Sequence, residues 1–371
     1  MPSMRIVHAT ETLVGGVLAA VAALANKQAE LGHEVVVVYP RKQTVPARAE
    51  LESRFSAGVR RVEVSYRGRM ATVPDLRRAL VGVTREGADV LHLHSTFAGM
   101  AGRISPALRR RARTIVYSPH GWAFLRGQSS ALSNRVALGV ERALKARCDG
   151  IVLVSDSEAE VARARLGGDR CEVLRNGIPV DHLPASTGGD PDRPVVVASG
   201  RLMEQKAPDR FADVARALGD RAEFVWIGDG SAEERERWIG DAPVRVTGWL
   251  AHPDVIAQLA SSDIFLFPTR WEGMPISLME AQAMGLPTVA TDIVGNRDVV
   301  LHGQTGVLCD DVPALISAVG ALVDDASARE RMRATALEVQ RARLSDADLG
   351  TASLAVYARL AGGDRTALAS A

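Results

Sequence analysis

What most narrows the possible folds of this 371-residue chain is an alternation, made twice, of short β-branched runs with amphipathic helical stretches. In the first block Arg5–Ala9 reads as a strand, Gly16–Leu31 as a helix and Glu34–Tyr39 as a strand. Further strands are expected at Val59–Ser65, Val90–His94, Thr114–Ser118 and Gly150–Val154. The segment Pro184–Pro194 (PASTGGDPDRP) has the Pro, Gly, Asp and Ser content of a linker. After it the pattern restarts with strand Val195–Ser199, helix Pro208–Leu218 and strand Glu223–Ile227, then strands Val244–Thr247, Ile264–Phe267 and Thr288–Ala290. Such alternation predicts parallel, doubly wound sheets, and the length exceeds what one core fills. The expectation is an α/β protein of two Rossmann-like domains, residues 1–185 and 186–345, whose strand-end loops face a common interdomain cleft. Residues 346–371 add a helix, Asp346–Leu360, expected to return to the N-terminal domain.

Composition excludes several classes. Hydrophobic content of 47% with 24% charge is that of a soluble globular enzyme, and 4% aromatics suits aliphatic helices on a parallel sheet. Cys148, Cys171 and Cys309 are far apart with no CxxC, so they read as small buried hydrophobes. The N-terminal MPSMRIVHAT lacks a basic segment leading into an apolar one, and apolar runs such as Ile264–Pro268 are strand-sized. The expected location is cytoplasmic, with nucleic acid not an expected partner. Charge is divided: 27 basic against 17 acidic side chains up to residue 185, and 18 against 27 beyond it. The densest basic cluster, Arg103, Arg109, Arg110, Arg111 and Arg113, fits an anionic acceptor or peripheral contact with an anionic membrane surface. It fits a solvated helix end equally well.

In parallel sheets, ligands bind beyond the carboxyl ends of the strands, where strand order reverses. The first such loop carries Gly15 and Gly16 ahead of a helix, where bare backbone and helix amides favour an anion. His92 and His94 end the strand DVLHLH on one face; no third ligand follows at metal-binding spacing, so no metal is expected. His92 reads as a structural histidine, while His94, at the strand end, is open to a site role. His120 stands in YSPHGW between Pro119 and Gly121, a strand-end turn that makes it a candidate site residue.

In the second block Gly200-Arg201-Leu202 follows a strand, with Lys206 nearby, and two cations there suit a diphosphate. Gly228-Asp229-Gly230 opens another loop for close backbone approach. The sharpest constellation is Glu272-Gly273-Met274-Pro275-Ile276 leading to Glu280. Pro275 fits the first position of a helix that Gly285 terminates, and the helix start offers amides to a phosphate. Glu280 lies on an otherwise apolar helix and needs a hydrogen-bonding partner, which ligand hydroxyls would supply. A glycosidase carboxylate pair is the rival reading of the two glutamates.

Taken in order, these pieces resemble the retaining glycosyltransferases of family 4 (glycosyl transferases group 1), which have the GT-B fold of two Rossmann-like domains. Gly15-Gly16, HLHS, His120-Gly121, Asn176-Gly177-Ile178, Gly200-Arg201-Leu202 with Lys206, Gly228-Asp229-Gly230, Val246-Thr247-Gly248, Glu272 to Glu280, Gly285, Pro287 and Gly306 carry the likeness. The resemblance implies a nucleotide-sugar co-substrate, UDP-linked by preference, and no metal or other cofactor. It implies that Gly16 meets donor phosphates, that His120 lies near the transferred sugar and that Arg201 and Lys206 neutralise the diphosphate. Glu272 would hold sugar hydroxyls and Glu280 the ribose. It makes the N-terminal domain the acceptor-binding one, the acceptor being a lipid-linked saccharide or, alternatively, a small secondary metabolite. A UDP-sugar epimerase, a non-catalytic nucleotide-sugar sensor and a phosphorylase with a Lys-bound pyridoxal cofactor remain as other readings of the fold. Two positions depart from the family pattern. Ala207 stands where Gly is common, which stiffens its loop, and Gly295-Asn296-Arg297-Asp298 resembles N-acetylhexosamine-transferring members.

Overall fold

The computed structural model describes residues 2–42, 45, 48–125, 130–167, 170–189 and 193–361, which divide into two compact units. One is formed by residues up to Gly177 together with those from Asp346 onward, the other by Ile178–Ser345. The first contains strands β1 (Arg5–Thr10), β2 (Glu34–Arg41), β3 (Val59–Ser65), β4 (Ala88–His94), β5 (Ala112–Ser118), β6 (Gly150–Leu153) and β7 (Cys171–Val173). All pair in parallel, in the order β3-β2-β1-β4-β5-β6-β7. The second contains β8 (Val195–Ser199), β9 (Glu223–Ile227), β10 (Val244–Val246), β11 (Ile264–Phe267), β12 (Thr288–Thr291) and β13 (Gly306–Cys309), ordered β10-β9-β8-β11-β12-β13. Strand order reverses between β1 and β4 in one unit and between β8 and β11 in the other.

Helices cover both faces of each sheet, so the strands are near-continuous apolar runs; Val35 to Val38 are all buried. In the first unit Val7, Val36, Leu91 and Ile115 build one core, and Ile6, Val90, Val116 and Val152 point to the other. That second face is covered partly by the helix Leu349–Leu360, through Leu349, Val356, Tyr357 and Leu360. Strands β3, β8, β9 and β11 and the helix Pro208–Leu218 have the bounds read from the sequence. Two edge strands, β7 and β13, escaped that reading. Three or four residues are too few to show a period, and β13 opens on Gly306, so pairing with a neighbour defines them rather than local propensity.

The linker-like segment is held on the second unit as far as it is described. Ser186 N donates to Met284 O at 2.7 Å, Thr187 N to Ala260 O at 2.9 Å and Gly189 N to Asp263 Oδ1 at 3.1 Å; residues 190–192 lie outside the described residues. Among the described residues no helix is long and apolar enough to cross a membrane, and the three cysteines are free thiols.

The arginine cluster is mostly committed to internal partners. Arg103 is buried against the Tyr117 ring, 3.8 Å from its centroid, and donates to Glu141 Oε2 at 2.8 Å. Arg109 pairs with Asp149, Arg111 with the Val81 carbonyl and Arg113 with Asp89. The stretch 109–113 lies where β5 begins, the sheet end opposite the strand-end loops.

Candidate functional site

In the second unit the loops after β8 and β11 meet at the reversal point. Lys206 Nζ donates to Glu272 Oε1 at 2.7 Å and lies 4.9 Å from the Phe267 ring centroid. Gln205 Nε2 donates to the Trp271 carbonyl at 3.0 Å and reaches Glu272 Oε2 at 3.4 Å. Arg270 ties the same loops: its N–H donates to Gln205 O at 2.9 Å and its guanidinium to Glu204 O and to Asp209. Glu272 is buried, Lys206 partly exposed. Arg201 is partly exposed and forms no ion pair among the described residues. The site thus presents one cation bound to a carboxylate and one without a counter-ion.

Two glycines make this geometry possible. A Cβ on Gly228, whose φ is +129°, would lie 2.2 Å from the Gly200 carbonyl oxygen, so the loops after β8 and β9 approach backbone to backbone. A Cβ on Gly295, φ +86°, would lie 2.3 Å from the Gly273 carbonyl oxygen. Gly295 therefore seats the Gly273–Met274 backbone, a structural role beside the donor-choice role read from its motif. Asp229 accepts from Gly230 N at 2.7 Å and from Arg235, which fixes that loop.

Ala207 has φ +51°. Expected to stiffen its loop, it is a non-glycine residue held in the left-handed region between Lys206 and the helix Pro208–Leu218. An L-residue there costs about 1–2 kcal/mol, partly offset by the extra unfolded-state freedom of glycine. Ala207→Gly relieves that strain but deletes a fully buried methyl, so urea unfolding should change by no more than about 1 kcal/mol. A larger loss would show that packing of the methyl outweighs the strain.

The helix after Glu272 runs Ile276–Ala283, with Pro275 as an extended N-cap, one residue earlier than expected. No side chain caps it, so its first amides are available to a ligand. At the other end Gly285, φ +82°, donates to Gln282 O and Leu286 N to Ala281 O, the paired bonds that close a helix on glycine. Glu280 does have a protein partner: His252 Nε2 is hydrogen-bonded to its Oε1 at 2.8 Å. His252 begins the helix His252–Ala260, and nothing in the local sequence links it to a glutamate 28 residues on.

In the first unit Gly15, φ +51°, and Gly16 are exposed at the start of the helix Gly15–Glu30, which has no side-chain cap. His120 follows β5 with φ +52°, and Gly121 with φ +94°. Buried Glu158 clamps this turn by accepting from Gly121 N at 2.8 Å and Val154 N at 3.1 Å. His94 Nδ1 lies 2.8 Å from His120 Nε2, and His94 Nε2 2.9 Å from His8 Nδ1. Burial drives His8 and His120 down to about 4 and His92 and His94 well below their ordinary value, so all four are neutral at pH 7. His8, His92 and His94 bring ring nitrogens within 4.8 Å of one another, which suggests a metal site. Both ring nitrogens of each are already engaged by neighbouring side chains, so no lone pairs converge on a centre. A cavity of about 20 Å³ lined by His94, Ser118, His120 and Asn176 holds one water at most. His8, Gln28 and Tyr357 escaped sequence reading because each sits in an ordinary strand or helix; only the fold gathers them.

Residues 14–182 match the family model for Glycosyltransferase Family 4, and residues 193–325 that for Glycosyl transferases group 1. The chain is 27% identical over 267 residues to the UDP-Gal:alpha-D-GlcNAc-diphosphoundecaprenol alpha-1,3-galactosyltransferase of Escherichia coli, covering 65% of this chain and 68% of the relative. It is 26% identical over 359 residues to the alpha-D-kanosaminyltransferase of Streptomyces kanamyceticus, covering 89% and 91%. Sucrose-phosphate synthase from Thermosynechococcus elongatus has the same fold, with a TM-score of 0.83 over 96% of this chain and 99% of that one at 17% identity.

Proposed function

The chain belongs to the family 4, group 1 glycosyltransferases, with two parallel-sheet domains of the GT-B fold and a nucleotide sugar as donor, and from that membership we propose a retaining, metal-independent transfer from a UDP-sugar to an acceptor hydroxyl. The observation that carries the reading is the 2.7 Å Lys206–Glu272 contact at the strand-order reversal, beside an Arg201 that lacks a counter-ion among the described residues. A diphosphate supplies the missing anion. Arg201, Lys206 and the uncapped amides that open the helix Ile276–Ala283 receive its charge as the glycosidic bond breaks. Glu272, oriented by Lys206, accepts from sugar hydroxyls, and Glu280, oriented by His252, from the ribose. In this reading His120 is assigned to the transferred sugar and the Gly15–Gly16 backbone to the donor phosphates. The acceptor hydroxyl attacks the face the diphosphate leaves, and a phosphate oxygen takes its proton, so configuration is retained without a protein nucleophile or a metal.

The Escherichia coli relative, named for a diphosphoundecaprenol-linked GlcNAc acceptor, supports a lipid-linked saccharide as acceptor. The kanosaminyltransferase matches more of the chain and its name fixes no acceptor, so a small-molecule acceptor stands as the second reading. The test is a thermal-shift panel of UDP- and GDP-sugars with and without a chelator. A UDP-sugar at a hundred times its Kd adds about 2.7 kcal/mol of apparent stability, chelator or not. No shift with any nucleotide sugar would sink the reading, and a chelator-sensitive shift would remove metal independence. Donor consumption without an acceptor would point to an epimerase.

A further inference from the structure

Seven side chains in the first unit form an unbroken hydrogen-bonded path from His120 to a main-chain carbonyl. His120 Nε2 contacts His94 Nδ1 at 2.8 Å, His94 Nε2 contacts His8 Nδ1 at 2.9 Å, and His8 Nε2 contacts Gln28 Oε1 at 2.7 Å. Gln28 Nε2 reaches Ser353 Oγ at 2.9 Å and Tyr357 OH at 3.1 Å. Tyr357 OH contacts His92 Nδ1 at 2.8 Å, His92 Nε2 contacts Ser118 Oγ at 2.8 Å, and Ser118 Oγ contacts the Val152 carbonyl at 2.7 Å.

The direction of every proton follows from the two ends. A carbonyl only accepts, so Ser118 gives its single proton to Val152 O and accepts from His92 Nε2–H. Neutral His92 then has a bare Nδ1, which accepts from Tyr357 OH. Having donated, Tyr357 must accept from Gln28. Ser353 likewise donates to Gly350 O, at 2.6 Å, and must accept from Gln28. Both bonds place the Gln28 amide nitrogen toward the helix Leu349–Leu360 and its oxygen toward His8. His8 therefore donates from Nε2, His94 donates to His8, and His120 donates to His94. His120 is left with an unprotonated Nδ1. The positive φ at His120 and the Glu158 clamp on the next residue show a turn held against its own preference, a mark of function more than of folding.

We propose that Gln28, locked by Ser353 and Tyr357, is a positioning residue that sets the tautomer of His120 three hydrogen bonds away and so keeps Nδ1 as an acceptor for a substrate hydroxyl. The inference rests on the reading of His120 as a residue that faces the donor sugar. Leucine at position 28 removes the acceptor for His8 Nε2–H, and a buried donor without a partner costs about 1–3 kcal/mol. Reversing all three histidines removes that cost and turns His120 Nδ1 into a donor. Glutamic acid at position 28, kept neutral by burial, turns its carbonyl oxygen to His8 and its hydroxyl to Tyr357 or Ser353, which preserves the direction.

The experiment is ¹⁵N-histidine NMR of the full chain, read for the His120 tautomer, alongside steady-state kinetics with a nucleotide-sugar donor. Wild type is expected to be Nε2–H at His120, Gln28→Leu to be Nδ1–H, and Gln28→Glu to be Nε2–H. Turnover should fall roughly tenfold in Gln28→Leu, the loss of one substrate hydrogen bond, with recovery in Gln28→Glu. Nδ1–H at His120 in wild type overturns the proposal without recourse to a variant, as does an unmoved tautomer in Gln28→Leu. A tautomer that reverses while kcat and KM stay put leaves the relay standing and overturns the contact between His120 and substrate.

Discussion

Arg201→Ala and Lys206→Ala should each lower kcat by roughly two to three orders of magnitude, as loss of a preorganised charge stabiliser does elsewhere. Their effects on stability should differ. Arg201 has no ion pair among the described residues, so its removal should change unfolding free energy by no more than about 0.5 kcal/mol. Lys206 neutralises a buried carboxylate, and its loss leaves Glu272 with the long Gln205 contact of 3.4 Å. That variant should be destabilised by about 1–3 kcal/mol as well as slowed. The pair therefore separates charge stabilisation from support of the loop. If the cations act on the leaving diphosphate, a donor with a better leaving group should recover more of the lost rate in both variants than in wild type. Activity within tenfold of wild type in either variant would remove that residue from the charge chemistry.

The strands and the reversal points were legible in the sequence because a buried parallel strand writes itself as an apolar run. Ile264–Phe267 and Val195–Ser199 are such runs, and their following loops then identify themselves. Glu272, Lys206, Arg201 and Gly285 were accessible by the same logic, since each is chemically out of place for a plain turn or helix end. The partners were not. His252 reaches Glu280, and Tyr357 reaches His92, across 28 and 265 residues, contacts that depend on which helix packs on which face. The strain at Ala207 was hidden for a related reason: composition reports the side chain present, and only the backbone angle shows that it is strained. The arginine cluster was visible as charge, but its counter-ions Glu141, Asp149 and Asp89 come from other elements.

Stability should fall steeply once the pH drops below the ordinary histidine value. His8, His92, His94 and His120 all have depressed values in the folded chain because burial disfavours their charged forms. The unfolded chain takes up those protons near pH 6.5 while the folded chain does not. Their contribution is therefore intact above pH 6.5 and is lost on descent toward the folded values, about 4 for His8 and His120. Each group removes about 1.4 kcal/mol per pH unit in that window, so four acting together remove roughly 5 kcal/mol per unit. A domain stable by about 5–15 kcal/mol would then unfold near pH 5. Glu11 works against this, since burial raises its carboxyl and the folded chain binds that proton more readily, but it offsets at most one histidine. His33, also lowered by burial, adds to the loss. Urea unfolding of the full chain at pH 7.5, 6.5 and 5.5 measures the slope directly. About three to four protons should be taken up on unfolding at pH 5.5, and close to none at pH 7.5. Uptake of fewer than one at pH 5.5 would mean that the imidazoles are already charged in the folded chain. Charged imidazoles donate from both nitrogens, so the directional path from Val152 to His120 would not exist.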